Sequence, residues 1–309
     1  MKKSVTAFAP ATVANVSCGF DILGFAIDQM GDKVTVSLNN THQLRVLGIS
    51  GDGGKLPLES EKNTCSVAIQ AMLDHLESDQ GIDIYLEKGL PLGSGMGSSA
   101  ASAAAALVAA NELLGNPYEK IGLVPFAMEA ERIACGSAHA DNVAPSILGG
   151  FVLIRDYHPL DIIPLPVPQN LFCTLVHPHI ELRTADSRSV LRKQLSLKEA
   201  VMQSGNIAGF IAALYENDLR LLGRSLKDVI AEPSRALLIP GFYELRSGIQ
   251  FLGALGSGIS GSGPTIFVLS PDQKTADAVG EKAKEVFARI GLGVDVFVSE
   301  VNKRGAFVI

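Results

Sequence analysis

The chain has 309 residues, 47% hydrophobic and 19% charged, with a formal net charge of −6. That length accommodates two domains and a substantial core. The acidic balance and the lack of any basic stripe argue against a nucleic-acid partner, and the longest mostly apolar run, 100–110, is too short to cross a bilayer.

Lys2 and Lys3 are followed by Ser, Thr, Pro and Asn rather than an unbroken apolar stretch, so no signal peptide is expected. Cys18, Cys65, Cys135 and Cys173 are widely spaced and form no Cys-x-x-Cys pair. Reduced thiols and a cytoplasmic location are the expectation, with Cys18 a small packing residue rather than a nucleophile.

Apolar-rich or alternating stretches at 5–9, 22–27, 33–38 and 44–49 predict strands. Residues 63–76 carry Val67, Ile69, Met72, Leu73 and Leu76 at helical spacing, and 82–87 returns to strand. Then comes Gly89-Leu-Pro-Leu-Gly93-Ser-Gly95-Met-Gly97-Ser-Ser99-Ala-Ala-Ser102. Glycines at 93, 95 and 97 let the backbone turn its amides inward, and the Ala-rich stretch to about 111 must be helix. Free amides ending at a helix N-terminus form a place for anions. The segment therefore reads as a phosphate cradle and a nucleotide site; a plain strand-to-helix connection capped by serines is the alternative. It is not the Gly-x-x-x-x-Gly-Lys-Ser/Thr loop, because Ser98 stands where lysine is needed. The acidic residue of a dinucleotide fold is likewise replaced by Asn111-Glu112 at the helix end.

A second helix is predicted over 118–134, begun by Asn116-Pro117, followed by a polar loop at 135–150 and a strand at 151–155. The proline-punctuated stretch 159–168 reads as a connection, dividing the chain into 1–160 and 161–309. The second half predicts a strand at 171–176, helices near 185–194, 197–215, 218–230 and 241–253, a strand at 265–269, a helix at 272–290 and a strand at 294–298. The Gly/Ser run 256–263 reads as a rigid turn that brings backbone of the second domain against the first. The class is α+β.

Pro91 to Ala100 resembles the phosphate-binding motif of the GHMP kinases, Pro10 to Phe20 their N-terminal motif and Gly256 to Pro264 their C-terminal glycine motif, in the family's order over essentially the whole chain. Four further strings resemble the homoserine kinases of that superfamily: Asn15 to Gly24, His139 to Pro145, Thr184 to Arg188, and Asp228 to Arg235. The resemblance implies a two-domain GHMP kinase-like fold, with an N-terminal part like domain 2 of ribosomal protein S5 and a C-terminal ferredoxin-like α/β sandwich. It also implies a homodimer and transfer of the γ-phosphoryl group of ATP to the hydroxyl of L-homoserine.

On that footing Pro91, Leu92, Gly93, Ser94, Gly95, Met96, Gly97, Ser98 and Ser99 hold the phosphates, and Asn63 matches the position that contacts adenine, with a plain helix N-cap as the alternative. Ser99 and Glu131 would hold Mg²⁺, a hard cation suited to oxygen donors; Glu129 is a rival two residues away, on another helix face. A zwitterionic alcohol needs an anion for its ammonium, a cationic fork for its carboxylate and a polar group near its hydroxyl. Asp21, the pair Arg188 and Arg235, and Asn142 meet those needs, with Asn15 and His139 as polar neighbours. An amide at 142 cannot act as a base, and Asp141 is expected to point elsewhere, so the expected chemistry has no protein general base. The competing readings are a kinase of another alcohol, which leaves Asp21 without an ammonium to meet, and a nucleotide binder without turnover.

Overall fold

The computed structural model describes residues 3–136 and 138–309. Lys2 and Ser137, within the N-terminal and 135–150 readings above, and the side chain of Cys135 lie outside the described residues. The first half runs β1 (Ser4–Ala14), β2 (Leu23–Asn39), β3 (Leu44–Ser50), α1 (Thr64–His75), β4 (Gly81–Glu87), α2 (Ser98–Leu113), α3 (Val124–Cys135), α4 (Ala140–Leu148), β5 (Phe151–Tyr157) and β6 (Leu160–Leu165). The second runs β7 (Phe172–Pro178), α5 (Thr184–Ser189), α6 (Leu197–Glu216), α7 (Leu219–Ser225), α8 (Glu232–Arg235), α9 (Phe242–Ile249), β8 (Gly256–Ile259), β9 (Ile266–Ser270), α10 (Gln273–Arg289), β10 (Val294–Glu300) and β11 (Phe307–Val308).

One sheet has the order β11-β1-β2-β4-β3, with the β5–β6 hairpin joined to the start of β2; the other has the order β10-β7-β9-β8. Helix α2 lies at the centre of the first half, buried continuously from Ala100 to Asn111 and packed on β1, β2, α1, α3 and α4. Its run of alanines is what allows a helix to be enclosed on every side. The two sheets share one core: the Phe25 ring lies 4.7 Å from Phe151 and 6.0 Å from Phe267, and Phe151 lies 5.7 Å from Phe210. Each of these four rings is fully buried, worth about 2–3 kcal/mol apiece, so the two halves are held together by a continuous aromatic core.

Several expectations are corrected. The stretch 135–150 is not all loop: α4 occupies most of it, with Pro145 inside the helix. The proline deprives the Asp141 carbonyl of its helical donor, and Gly24 packs there so closely that a Cβ would lie 1.8 Å from that oxygen. Asn116-Pro117 does not start the second helix. Asn116 takes a left-handed conformation and closes α2, its amide bonding Asn111 O at 2.7 Å, while α3 begins at Val124 with Pro125 in its first turn. Residues 160–165 form a strand rather than a connection, and 307–308 return to pair with β1, so the expected division at 160/161 falls inside the first sheet. The helix expected at 218–230 stops at Ser225 as α7, and the short helix α8 begins only at Glu232.

Candidate active site

The loop before α2 has the conformation its glycines suggested, with φ of 64°, 78° and 67° at 93, 95 and 97. Gly97 is the N-cap of α2, and no side chain caps that end, so the first-turn amides are left facing the crevice. Gly95 is the point where the second sheet meets the first: a Cβ there would fall 2.6 Å from Ser260 O and 2.7 Å from Gly263 O. Ser260 Oγ donates to Gly95 O at 2.7 Å, and the Thr265 amide reaches Ser94 O at 3.3 Å. The Gly/Ser turn 260–264 is thus the rigid contact expected from the sequence, although 256–259 is strand β8.

Beneath the loop lies a buried ion pair that sequence reasoning missed. Lys88 Nζ donates to Asp32, to Ser98 Oγ at 2.7 Å, to Ser98 O at 2.9 Å and to Ser102 Oγ at 3.0 Å. Asp32 also accepts from the Gly89 and Leu90 amides and from Ser102 Oγ. Strand β4, the loop and the first turn of α2 are clamped on one charge pair with every partner supplied. The signal for it was an acid within the strand-forming stretch of β2 and a lysine directly after β4.

A cleft of about 390 Å³ opens above this clamp. Leu92, Gly93, Ser94, Gly95, Gly97, Ser98 and Ser99 line it on one side. Glu131, on α3, accepts from Ser99 Oγ at 2.5 Å, while Glu129 turns outward to Arg132 at 3.1 Å, which favours Glu131 of the two rivals. Three residues expected at the site do not line the cleft. Met96 is wholly in the core, and the Pro91 carbonyl accepts Ser94 Oγ at 2.9 Å. Asn63 is an N-cap: its Oδ1 accepts from the Cys65 amide at 3.0 Å and its Nδ2 donates to Pro57 O at 2.9 Å, so both ends of the amide are bonded within the protein. Its neighbours Lys62 and Thr64 face the cleft instead.

The opposite wall is made of side chains. Asn15, Asp21, His139, Asn142, Arg188 and Arg235 all reach the same cleft. Arg188 meets Asp21 with both terminal nitrogens, at 3.0 and 3.2 Å, and donates to His139 Nε2 at 3.0 Å. Arg235 is 3% exposed and is held by Ser187 O at 3.1 Å and Gly261 O at 2.9 Å. Both guanidiniums lie over the Phe20 ring, 5.8 and 5.4 Å from its centre. Asn15 Oδ1 accepts from the Asp21 amide at 2.9 Å and its Nδ2 donates to Gly261 O at 2.7 Å, so it shapes the wall rather than presenting its amide. Tyr157, also unforeseen, donates to Asp21 O at 2.9 Å.

Asp141 does not point away as expected: it lines the cleft and is 3% exposed. Burial, with Asp21 and Glu131 as like-charged neighbours, pushes its carboxyl up to about 7. Burial lowers His139, against the pull of Asp21, and it lowers Arg235. Burial also pushes the Cys18 thiol up to about 12, in keeping with a packing role, and Cys18, Cys65 and Cys173 are free.

Residues 63–150 match the family model of the GHMP kinases N-terminal domain and 210–289 that of the GHMP kinases C-terminal domain. The chain is 53% identical to a homoserine kinase of Chlorobium phaeobacteroides, over 99% of this chain and all of that one. It is 54% identical to the crystal structure of a homoserine kinase from Cytophaga hutchinsonii, with a TM-score of 0.97 and coverage of 100% and 98%. The mevalonate kinase of L. major, 18% identical with a TM-score of 0.72 over 97% and 98%, shares the fold.

Proposed function

The chain belongs to the homoserine kinase family of the GHMP kinases, and from that premise we propose how its residues move the γ-phosphoryl group of ATP to the side-chain hydroxyl of L-homoserine. The product is O-phospho-L-homoserine, on the way to threonine. The observation that carries the assignment is the juxtaposition in one cleft of an uncapped helix N-terminus with an acid and two guanidiniums.

On the phosphate side, amides of 93–99 hold the triphosphate against the positive end of α2. Ser99 and Glu131 present hard oxygen donors side by side, the chemistry that suits Mg²⁺, so these two residues would hold it. Bound there, the ion would neutralise charge on the phosphate oxygens. Lys88 fixes the loop from below rather than reaching for phosphate, because all its donors are engaged within the protein.

On the acceptor side, Asp21 takes the ammonium, and Arg188 and Arg235 take the carboxylate, which leaves the hydroxyl beside Asn142. Alignment and electrostatics then carry the reaction, as a loose phosphoryl transfer requires. We assign the proton to no side chain: Asn142 is an amide and cannot act as a base near neutral pH, and the buried Asp141 carboxyl is taken up by the Asn15 backbone amide. The hydroxyl proton passes to a phosphoryl oxygen as the new P–O bond forms and the bond to ADP breaks.

The widely separated free cysteines are consistent with a cytoplasmic enzyme, and no helix among the described residues is long and apolar enough to cross a membrane. The homodimer implied by the family is checked by sedimentation. A coupled ADP-release assay with ATP, Mg²⁺ and L-homoserine tests the function, with mevalonate as control. Turnover with homoserine alone is expected; turnover with mevalonate alone, or with neither alcohol, would overturn the reading.

A further inference from the structure

We propose that Thr12 is a positioning residue that fixes the amide of Asn142 so that its NH₂ group, not its carbonyl, faces the reacting hydroxyl. The inference deepens the kinase reading above and rests on it.

Thr12 is completely buried, yet it is polar and sits where three parts of the site meet. Its Oγ1 donates to Asn142 Oδ1 at 2.8 Å across 130 residues of sequence. Its amide leaves the sheet ladder and donates to Met96 O, in the glycine loop, at 3.0 Å. The β1–β2 register shifts between Pro10 and Thr12, and an irregularity of that kind re-aims a side chain relative to the strand. Gly97 completes the arrangement: a Cβ there would stand 2.0 Å from Thr12 Oγ1 and 3.0 Å from Asn142 Oδ1. The glycine at the head of α2 is therefore needed for this contact as well as for its own left-handed backbone. Helix α4, which carries Asn142, is tied to the same strand by Ser146 Oγ, bonded to Pro10 O at 3.0 Å.

The chemical consequence follows from the two ends of a carboxamide. With Oδ1 taken by the Thr12 hydroxyl, the cleft is offered a donor. A donor at that place accepts no proton; it engages a lone pair of the substrate oxygen. The hydroxyl hydrogen is then free to be given to the phosphoryl oxygen, and the remaining lone pair is free for in-line attack. Thr12 thus ties the orientation of the acceptor, through its side chain, to the position of the phosphate loop, through its amide.

Steady-state kinetics on the full-length chain test this. Thr12→Val keeps the shape and removes the donor, and it is expected to lower kcat about tenfold or more with both KM values within about threefold. Thr12→Ser restores the hydroxyl and is expected to recover kcat to within about threefold of the parent. Adding Thr12→Val to Asn142→Ala should lower kcat by less than about twofold beyond Asn142→Ala alone, because the two act as a unit. A Thr12→Val enzyme with parental kcat, a Ser variant no better than Val, or independent losses in the double variant would each overturn the proposal. If Val unfolds at the assay temperature, Thr12→Ala replaces it in the same comparisons. Non-additivity of the same two substitutions in thermal unfolding reads the contact with no substrate present, and additivity there would count against it. Absence of parental turnover with homoserine defeats the substrate reading alone, and leaves that unfolding cycle to judge Thr12.

Discussion

The two walls of the cleft are built on opposite principles. The phosphate wall is backbone: amides of one continuous segment, 93–99, shaped by three glycines in left-handed conformations and anchored at the Gly89 and Leu90 amides by a buried Lys88–Asp32 pair. The acceptor wall is side chain: Asp21, His139, Asn142, Arg188 and Arg235 come from four separate stretches and converge around Phe20. On the proposed reading, backbone would recognise what every nucleoside triphosphate shares, whereas the convergent charges would recognise one class of acceptor. Folds of this kind can keep one wall of a site and change the other.

The contrast can be broken first at the clamp. Lys88→Met leaves Asp32 buried and unpaired, and denaturant unfolding should show a loss of about 3–5 kcal/mol. The ATP KM should rise with it, because the loop loses its floor; an unchanged midpoint would mean that the pair does not hold the loop. Next is the acceptor wall. Arg235→Ala should raise the homoserine KM by about 100-fold, near 3 kcal/mol, and leave the ATP KM within about threefold. Arg188→Ala should do the same more weakly, since its side chain is 38% exposed and water can replace part of its role. A fall in ATP affinity for either variant would put these arginines on the wrong wall.

Asp141 sharpens the comparison, being the acid between the two walls. Its folded value of about 7 lies above the unfolded carboxylate range, so the folded state binds an extra proton between about pH 4 and 7 and loses stability as pH rises through that window. Asp141→Asn should therefore be neutral in stability below about pH 4 and gain about 4 kcal/mol by pH 8, measured as thermal midpoints across pH. Its kcat should stay within about threefold of the parent; a large fall with intact KM values would make Asp141 the missing base. The smallest effect belongs to Asn63→Ala. As a cap it should cost about 1 kcal/mol of stability and leave the ATP KM unchanged, whereas a raised ATP KM would restore its role at adenine.

The phosphate wall was legible because its information is local: glycine spacing, a preceding strand and an alanine-rich helix stand next to one another in the chain. The clamp under it was not, since a lysine and an aspartate 56 positions apart carry no periodic signal. The acceptor wall was readable only by likeness of short strings, because nothing in the spacing of Asp21, His139 and Arg235 says that they meet. Asn63 shows the cost of that route: the matched position is held by a residue whose Oδ1 caps α1 and whose Nδ2 donates to Pro57 O, away from the cleft lining. Helix α4 was hidden by Pro145, which reads as a breaker but sits where Gly24 makes room for the freed carbonyl. Strand β11 has two residues, too few for any alternation to register.

The division of labour between the walls is tested most directly by a crystal structure with an ATP analogue, Mg²⁺ and L-homoserine bound together. Phosphate oxygens on the amides of 93–99, the carboxylate on Arg188 and Arg235, and the ammonium on Asp21 are the expected result. A triphosphate bound away from the start of α2, or an amino acid reversed so that its carboxylate faces Asp21, would contradict it.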